Sequence, residues 1–279
     1  MSLAASPRLT IGVAWNGVGD PLPCLRAGEA APFVAEVLVA PMDAAAADKA
    51  LFAARALAKT RVLPPGDTGI YSAWNKLVAA CATSHIAFHG IDDLVIADPA
   101  IGAALATIRD EDVLVASVRF ATPQGQPTAI YHHRESDPPA LALGRVANPA
   151  GPEVCWPVAV VRAVGGLDES FRIAGDVDLW FRVRRVARRS DVDTVLLTMN
   201  DGGISTVARH ARTVWLENRR IAHAHGQPVP LGNRLRSGAF LNGRYWLARL
   251  VGARTADHAT DAARRLVGKP PRYSLVHAK

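Results

Sequence analysis

The chain has 279 residues, 49% hydrophobic and 20% charged, which suits one large core or a core with an appendage and excludes global disorder. Its net charge of +7 is uneven: residues 207–279 carry 14 Lys and Arg against 3 Asp and Glu, whereas residues 1–206 are net acidic. Cys24, Cys81 and Cys155 lie far apart without a CxxC, and no apolar run reaches the roughly 20 residues that a membrane-spanning helix needs. These features argue against a disulfide framework, a cysteine-built zinc site and a transmembrane protein. With no leader-like apolar stretch in Met1–Thr10, a cytoplasmic location is expected.

Apolar runs predict strands at Leu9–Trp15 and Val34–Ala40. Alanine-rich Ala44–Lys59 reads as a helix, and Arg61–Leu63 as a short strand stopped by Pro64–Pro65–Gly66. Over Gly69–Thr83, Ile70, Trp74, Leu77, Val78 and Cys81 keep helical spacing. His85–His89 is a strand running into Gly90–Ile91–Asp92–Asp93. Asp98–Pro99 opens a helix to about Arg109, Asp112–Phe120 is a strand, and Pro123–Pro127 is a hairpin turn. Residues 134–155, rich in Pro and Gly, read as a long loop, a length often tied to function. Gly165–Gly166 ends one helix and Asp176 opens another. Val207–His225 and Asn233–Val251 predict two basic amphipathic helices, and the chain beyond about Thr260 is expected to be loosely held. Alternation of strand and helix predicts an α/β fold with a mostly parallel sheet. Neither GxGxxG nor GxxxxGK[ST] occurs, so dinucleotide and P-loop readings have no support.

Two segments carry the chemistry. Gly66–Asp93 reads GDTGIYSAWNKLVAACATSHIAFHGIDD, an acidic residue before a helix, then a buried strand ending in two carboxylates. Ligands of open parallel sheets bind beyond the carboxyl ends of the strands, where two carboxylates suit a hard divalent cation bridging to a diphosphate. Taken alone, such a pair more often makes a turn or a cap. Residues 165–182 read GGLDESFRIAGDVDLWFR. There Asp176 is either an N-cap or a general base, and capping is the commoner use.

Together the segments resemble the family 2 glycosyltransferases. Their pattern sets D-x-G-I-Y-x-A-x-N-K before an apolar strand ending in Asp-Asp, then GG-hydrophobic-DE-x-F before D-x-DL and Arg, then a GG-[VI]-S segment, here Gly202–Ser205. The order agrees over residues 60–206, about half the chain. The resemblance implies a GT-A fold: a Rossmann-like, mostly parallel sheet flanked by helices over residues 1–206, with a C-terminal helical extension over 207–279. It implies inverting transfer from a nucleotide-diphosphate-sugar, a UDP-sugar foremost, to a hydroxyl of a saccharide or lipid-linked acceptor. By motif position Asp93, assisted by Asp92, would hold Mn²⁺ or Mg²⁺. Asp92 would also reach the donor ribose, Asp67 and Lys76 would lie near the nucleotide, and Asp176 would deprotonate the acceptor. Trp156 and Asp178 are the acceptor-side candidates, although Trp156 equally suits a core and Asp178 an i,i+4 pair with Arg182.

Four positions depart from that pattern. Trp15–Asn16–Gly17 stands where a polar pair follows the first strand. Ala40–Pro41–Met42–Asp43 replaces Asp-x-x-Ser-x-Asp after the second, leaving Asn16 and Asp43 as donor-side candidates. Gly90 replaces the first Asp of a D-x-D, and Gly175 stands where Glu often precedes the base. These departures keep open a non-catalytic nucleotide-sugar or carbohydrate-binding relative. A sugar nucleotidylyltransferase ranks lower, since Trp15–Leu25 has no Gly-rich loop with Arg and Lys.

The basic aromatic tail suits either peripheral contact with an anionic membrane at its inner face or simple packing with arginines in water. No nucleic-acid signature accompanies it, so nucleic acid is not expected as a partner. His223 and His225, two apart on a helix, do not converge and read as solvated; His132 and His133 point to opposite faces of a strand.

Overall fold

A computed structural model describes residues 8–122, 125–132, 151–200, 203–227, 229–268, 271 and 273–274. Most of the 134–155 loop, His133, part of the Pro123–Pro127 turn, and Asp201–Gly202 of the GG-[VI]-S segment lie outside the described residues.

Strand β1 (Leu9–Trp15) is apolar on both faces and nearly all buried, as a central parallel strand must be. It pairs in parallel with β2 (Val34–Pro41) on one side and β4 (His85–His89) on the other; β3 (Thr60–Val62) extends the parallel half beyond β2. The connecting helices are α1 (Leu22–Ala30), α2 (Ala44–Ala54) and α3 (Ile70–Ala80). After β4 come β5 (Leu94–Val95), α4 (Pro99–Thr107), β6 (Val113–Ala121), β7 (Pro127–His132), β8 (Val154–Pro157), α5 (Val158–Ala163), α6 (Gly175–Val183) and β9 (Arg189–Asn200). The sheet order is β3-β2-β1-β4-β8-β6-β9-β5, with β7 paired to β6; beyond β4, β8 joins β4 and β6 antiparallel, and β5 joins β9 antiparallel.

The chain winds outward from β1 to β3 and then returns to β4 on the other side of β1. That reversal opens a crevice at the carboxyl ends of β1 and β4, the position where open α/β sheets bind ligands. Val13 lies beside His89 and Trp15 beside Pro41, so Asn16, Asp43 and Gly90–Asp93 all emerge at this edge.

Two helices differ from the sequence reading. Helix α1 is not among the elements expected from the sequence, and two prolines, Pro21 and Pro23, stand at its start. They occupy the N-cap and the first turn, where a missing N–H does no harm, and Asp20 Oδ1 accepts the Leu22 N–H at 3.0 Å. Gly28 then lets α1 sit on β2, since a methyl there would stand 2.7 Å from Val37 Cγ2. Helix α2 ends at Ala54 rather than near Lys59. Lys59 N donates instead to Glu29 Oε1 at 2.5 Å, and Lys59 O accepts from Val37 N at 2.9 Å as β3 begins.

The described residues divide into two units: those of 1–119, 129–135 and 149–199, and those of 120–128 and 200–279. The second unit holds α7 (Ala211–Ala224), α8 (Leu231–Val251) and α9 (Ala253–Leu266), preceded by short 3₁₀ turns at Ile204–Thr206 and Ala208–His210. Its centre is an ion pair between Arg244 and Asp257, 2.5 Å long and 4% and 0% exposed, with the guanidinium carbon 3.6 Å from the ring centroid of Tyr273. The expectation of a loose chain after Thr260 is corrected for the described residues: α9 runs on to Leu266, and Asp261, buried in it, accepts from Tyr273 N, Ser274 N and Ser274 Oγ at 2.7–2.9 Å, which ties these two residues back onto the helix.

Candidate active site

At the end of β4 the backbone turns so that Asp93 Oδ2 accepts the Gly90 N–H at 2.6 Å. Asp93 is 4% exposed and Asp92 faces solvent. A methyl on Gly90 would stand 3.2 Å from Asp92 Oδ1 and 3.4 Å from Asp93 Oδ2, so an oxygen of each carboxylate borders the same point beside the Gly90 α-carbon. A side chain at Gly90, where the D-x-D pattern has Asp, would press on both carboxylates. Their charge is felt underneath. Cys24 Sγ donates to the Gly90 carbonyl at 3.5 Å, and its thiol is pushed far above its ordinary range, by burial first and then by Asp93 and Asp92.

The donor-set chemistry fits Mn²⁺ or Mg²⁺. Such ions keep several waters and take one or two carboxylates plus substrate phosphates, so two carboxylates beside an open crevice suffice. Among the described residues no three His, Cys, Asp or Glu gather into an all-protein cage.

Across the crevice mouth, Asp67 is 5% exposed, with Oδ1 2.7 Å from Lys76 Nζ. Lys76 also donates to the Pro64 carbonyl at 2.9 Å, so the ammonium is anchored from both sides. Asp67 Oδ2 is buried without a hydrogen-bond partner, an acceptor able to take a ring N–H or a hydroxyl. Asp43 and Asn16 serve the backbone. Asp43 Oδ1 accepts the Ala46 N–H at 2.8 Å as the N-cap of α2, and Asn16 Oδ1 accepts the Val18 N–H at 3.1 Å.

Asp176 lies in the first turn of α6. Gly151, at φ +102°, runs its backbone against this carboxylate: a methyl there would stand 2.9 Å from Asp176 Oδ2. The next residue, Pro152, offers its carbonyl to His89 Nε2 at 3.2 Å, at the end of β4. The stretch 151–152 thus links the α6 carboxylate to the strand that carries Asp92 and Asp93. His89 is neutral here. Burial pulls its pKa down to about 4 despite the Pro152 carbonyl, and Nδ1 is buried without a hydrogen-bond partner.

The motif residues without an assigned role in the sequence prove to be mechanical. Tyr71 Oη accepts the Gly175 N–H at 2.8 Å, and a methyl on Gly175 would lie 2.7 Å from the Tyr71 ring. With the tyrosine ring in this position, any side chain at 175 would have to displace it. Asn75 Nδ2 donates to Leu167 O and Glu169 Oε1, both at 2.9 Å, while Asn75 Oδ1 accepts the Leu167 N–H at 2.8 Å. Position 166 must be glycine, with φ +72° and Asn75 Oδ1 only 2.6 Å from where a methyl would sit. No spacing rule announces these partners, which lie 92 residues apart in the chain.

The acceptor-side candidates are held within the protein. Trp156 is 2% exposed on β8, set edge-on to Trp180 at 6.1 Å between centroids, which makes it a core residue. Asp178 receives Arg182 Nε at 2.8 Å, and Arg182 Nη1 donates to the Val164 and Gly166 carbonyls at 2.9 and 2.6 Å. This pair secures the Gly165–Gly166 turn, the structural use that its i,i+4 spacing suggests.

No family model and no curated protein matches the chain. Solved structures do. TarS 1–349 of S. aureus in complex with UDP-GlcNAc superposes with a TM-score of 0.58 at 15% identity, over 89% of this chain and 75% of that one. The same protein in complex with UDP gives 0.57 at 14% identity, over 89% and 75%. Mannosyltransferase PcManGT from Pyrobaculum calidifontis, in complex with GDP-Man and Mn²⁺, gives 0.58 at 15% identity, over 98% and 84%. The chain has the GT-A fold of nucleotide-sugar transferases, an α/β sheet flanked by helices with a helical C-terminal part.

Proposed function

We propose that the chain is an inverting, metal-dependent glycosyltransferase of the family 2 type. It would move a sugar from a nucleotide-diphosphate-sugar, a UDP-sugar foremost, to a hydroxyl of a saccharide or lipid-linked acceptor. One observation carries the reading: a carboxylate pair at the β4 end and a separate carboxylate on α6 are joined through Gly151, Pro152 and His89 at the crevice of a GT-A sheet. The fold of TarS and PcManGT supports it.

In this proposal Asp93 and Asp92 hold Mn²⁺ or Mg²⁺, which when bound neutralises the departing diphosphate. Lys76 adds a fixed positive charge, and the unfilled Asp67 Oδ2 receives a donor hydrogen from the nucleotide. Asp176 accepts the acceptor's proton. A sugar hydroxyl is far less acidic than a carboxylic acid, so the proton moves late, as the new glycosidic bond forms. Bond making on one face of the anomeric carbon and loss of the nucleoside diphosphate from the other give inversion.

Calorimetric titration with UDP-, GDP- and dTDP-sugars, each with and without Mn²⁺, tests this. Cation-dependent binding of one nucleotide class is expected, together with slow donor hydrolysis that Asp93→Asn and Asp176→Asn both abolish. Cation-dependent binding without turnover in any variant points to a non-catalytic binding relative instead. That second reading draws support from Asp43, which caps α2.

A further inference from the structure

Helix α8 contains four arginines and no acidic residue. Leu231, Leu235, Trp246 and Leu250 follow one another at steps of four, eleven and four residues, close to whole helical turns, so they form one stripe. All four are exposed, at 60, 63, 54 and 81%. Arg244, about half a turn round the helix from the stripe, is buried on Asp257 of α9, while Gly238 beside the stripe is covered by α7, where an added methyl would stand 3.2 Å from the Trp215 ring. The four side chains make two exposed apolar pairs, Leu231 with Leu235 and Trp246 with Leu250, near the two ends of one helix face about 30 Å long, with only Gly238, Ala239 and Asn242 between them on that face, and two such pairs on one basic helix are unusual to leave in water. Arg234, Arg236 and Arg249 stand exposed around it.

We propose that this stripe is a membrane-seating surface for an anionic bilayer. Leu231, Leu235, Trp246 and Leu250 enter the boundary between headgroups and acyl chains, and Arg234, Arg236 and Arg249 meet the lipid phosphates. Charge complementarity selects this occupant over a second copy of the chain. Two such helices face to face would set arginine against arginine, with no carboxylate on either helix to answer them. The helix lies in the surface and does not cross it, since no helix among the described residues is long and apolar enough to span a membrane. The proposal does not depend on the transfer reaction and goes beyond it.

The test uses the full chain with vesicles of phosphatidylcholine alone and of phosphatidylcholine with about 30% phosphatidylglycerol, enough anionic lipid to attract a basic surface. Sedimentation with the anionic vesicles is expected, at least about tenfold weaker with neutral ones and weakened by salt. The triple variant Leu235→Glu/Trp246→Glu/Leu250→Glu should lose binding by about tenfold or more while keeping its circular dichroism, because none of the three side chains is buried. Independently of folding, brominated lipid should quench the fluorescence of the wild type more than that of Trp246→Phe. Equal sedimentation of wild type and triple variant, equal quenching of wild type and Trp246→Phe, or a wild-type dimer that the triple variant dissolves would each overturn the proposal.

Discussion

The phenol oxygen of Tyr71 on α3 accepts the backbone N–H of Gly175, one residue before Asp176, at 2.8 Å. A buried amide that loses its acceptor costs about 1–3 kcal/mol. Tyr71→Phe is therefore expected to lower stability by about that amount and to loosen the first turn of α6. Turnover should drop about tenfold or more while donor affinity holds, and steady-state kinetics beside direct donor titration separates the two effects. Unchanged turnover in a folded Tyr71→Phe protein would sever this link between α3 and catalysis.

Removal of the cation-binding charge should be read in binding before it is read in rate. Asp93→Asn keeps the shape of the side chain but halves the charge beside Gly90. The Mn²⁺-dependent part of donor affinity is expected to fall by at least about tenfold, or ~1.4 kcal/mol. EDTA should bring the wild type down to the level of the variant, measured by calorimetry.

Lys76 and Asp67 predict an asymmetry. Lys76→Met leaves a nearly buried carboxylate facing a methyl group, whereas Asp67→Asn leaves a partly exposed ammonium that water can reach. The lysine variant should melt at the lower temperature of the two. Both should weaken nucleotide binding, and melting curves with and without UDP report both effects.

His89 makes stability fall in acid. Its folded pKa of about 4 lies below the ordinary 6.5, so above pH 6.5 both folded and unfolded forms are neutral and no penalty exists. As pH falls from 6.5 toward 4, only the unfolded chain takes the proton, and stability drops progressively. At about 1.36 kcal/mol per unit the full loss from this buried ring is about 3 kcal/mol. His85, also lowered by burial, acts in the same direction. Urea midpoints measured near neutrality and at about pH 4.5 should differ less in His89→Gln than in the wild type.

Arg244 and Asp257 form a buried pair in the second unit. Removal of one partner, as in Asp257→Leu, leaves a desolvated charge and should cost about 3–5 kcal/mol, whereas Arg244→Met/Asp257→Leu should recover much of that loss. Thermal melts of the full chain check the sign of the coupling.

Much of this architecture was legible in order along the chain. β1, β2, α3 and β4 are long apolar or strictly periodic segments, and they form where the pattern puts them. The carboxylates of Gly66–Asp93 emerge at the crevice edge because a parallel strand delivers its carboxyl end there. Three kinds of information were hidden. Helix α1 starts with prolines, whose effect depends on their place in the turn. Strand β8 has only four residues, Val154–Pro157, and is defined by partners on both sides rather than by its own period. The links from Tyr71 to Gly175 and from Asn75 to Leu167 are non-local, and glycine at 166 or 175 signals a close neighbour without saying which one. Trp156 shows the converse: an aromatic next to a long loop suggests a binding surface, yet it is buried on β8 edge-on to Trp180 of α6.

The amide of Asn75 reads both the carbonyl and the N–H of Leu167, and Tyr71 holds Gly175 from the next turn back along the same helix. Anyone building chimeras to exchange specificity must therefore treat α3 and the stretch from Gly165 to Asp176 as one cassette. Transplanting either alone would join halves of a lock cut for different keys, and the graft would fail in assembly before its chemistry could be judged.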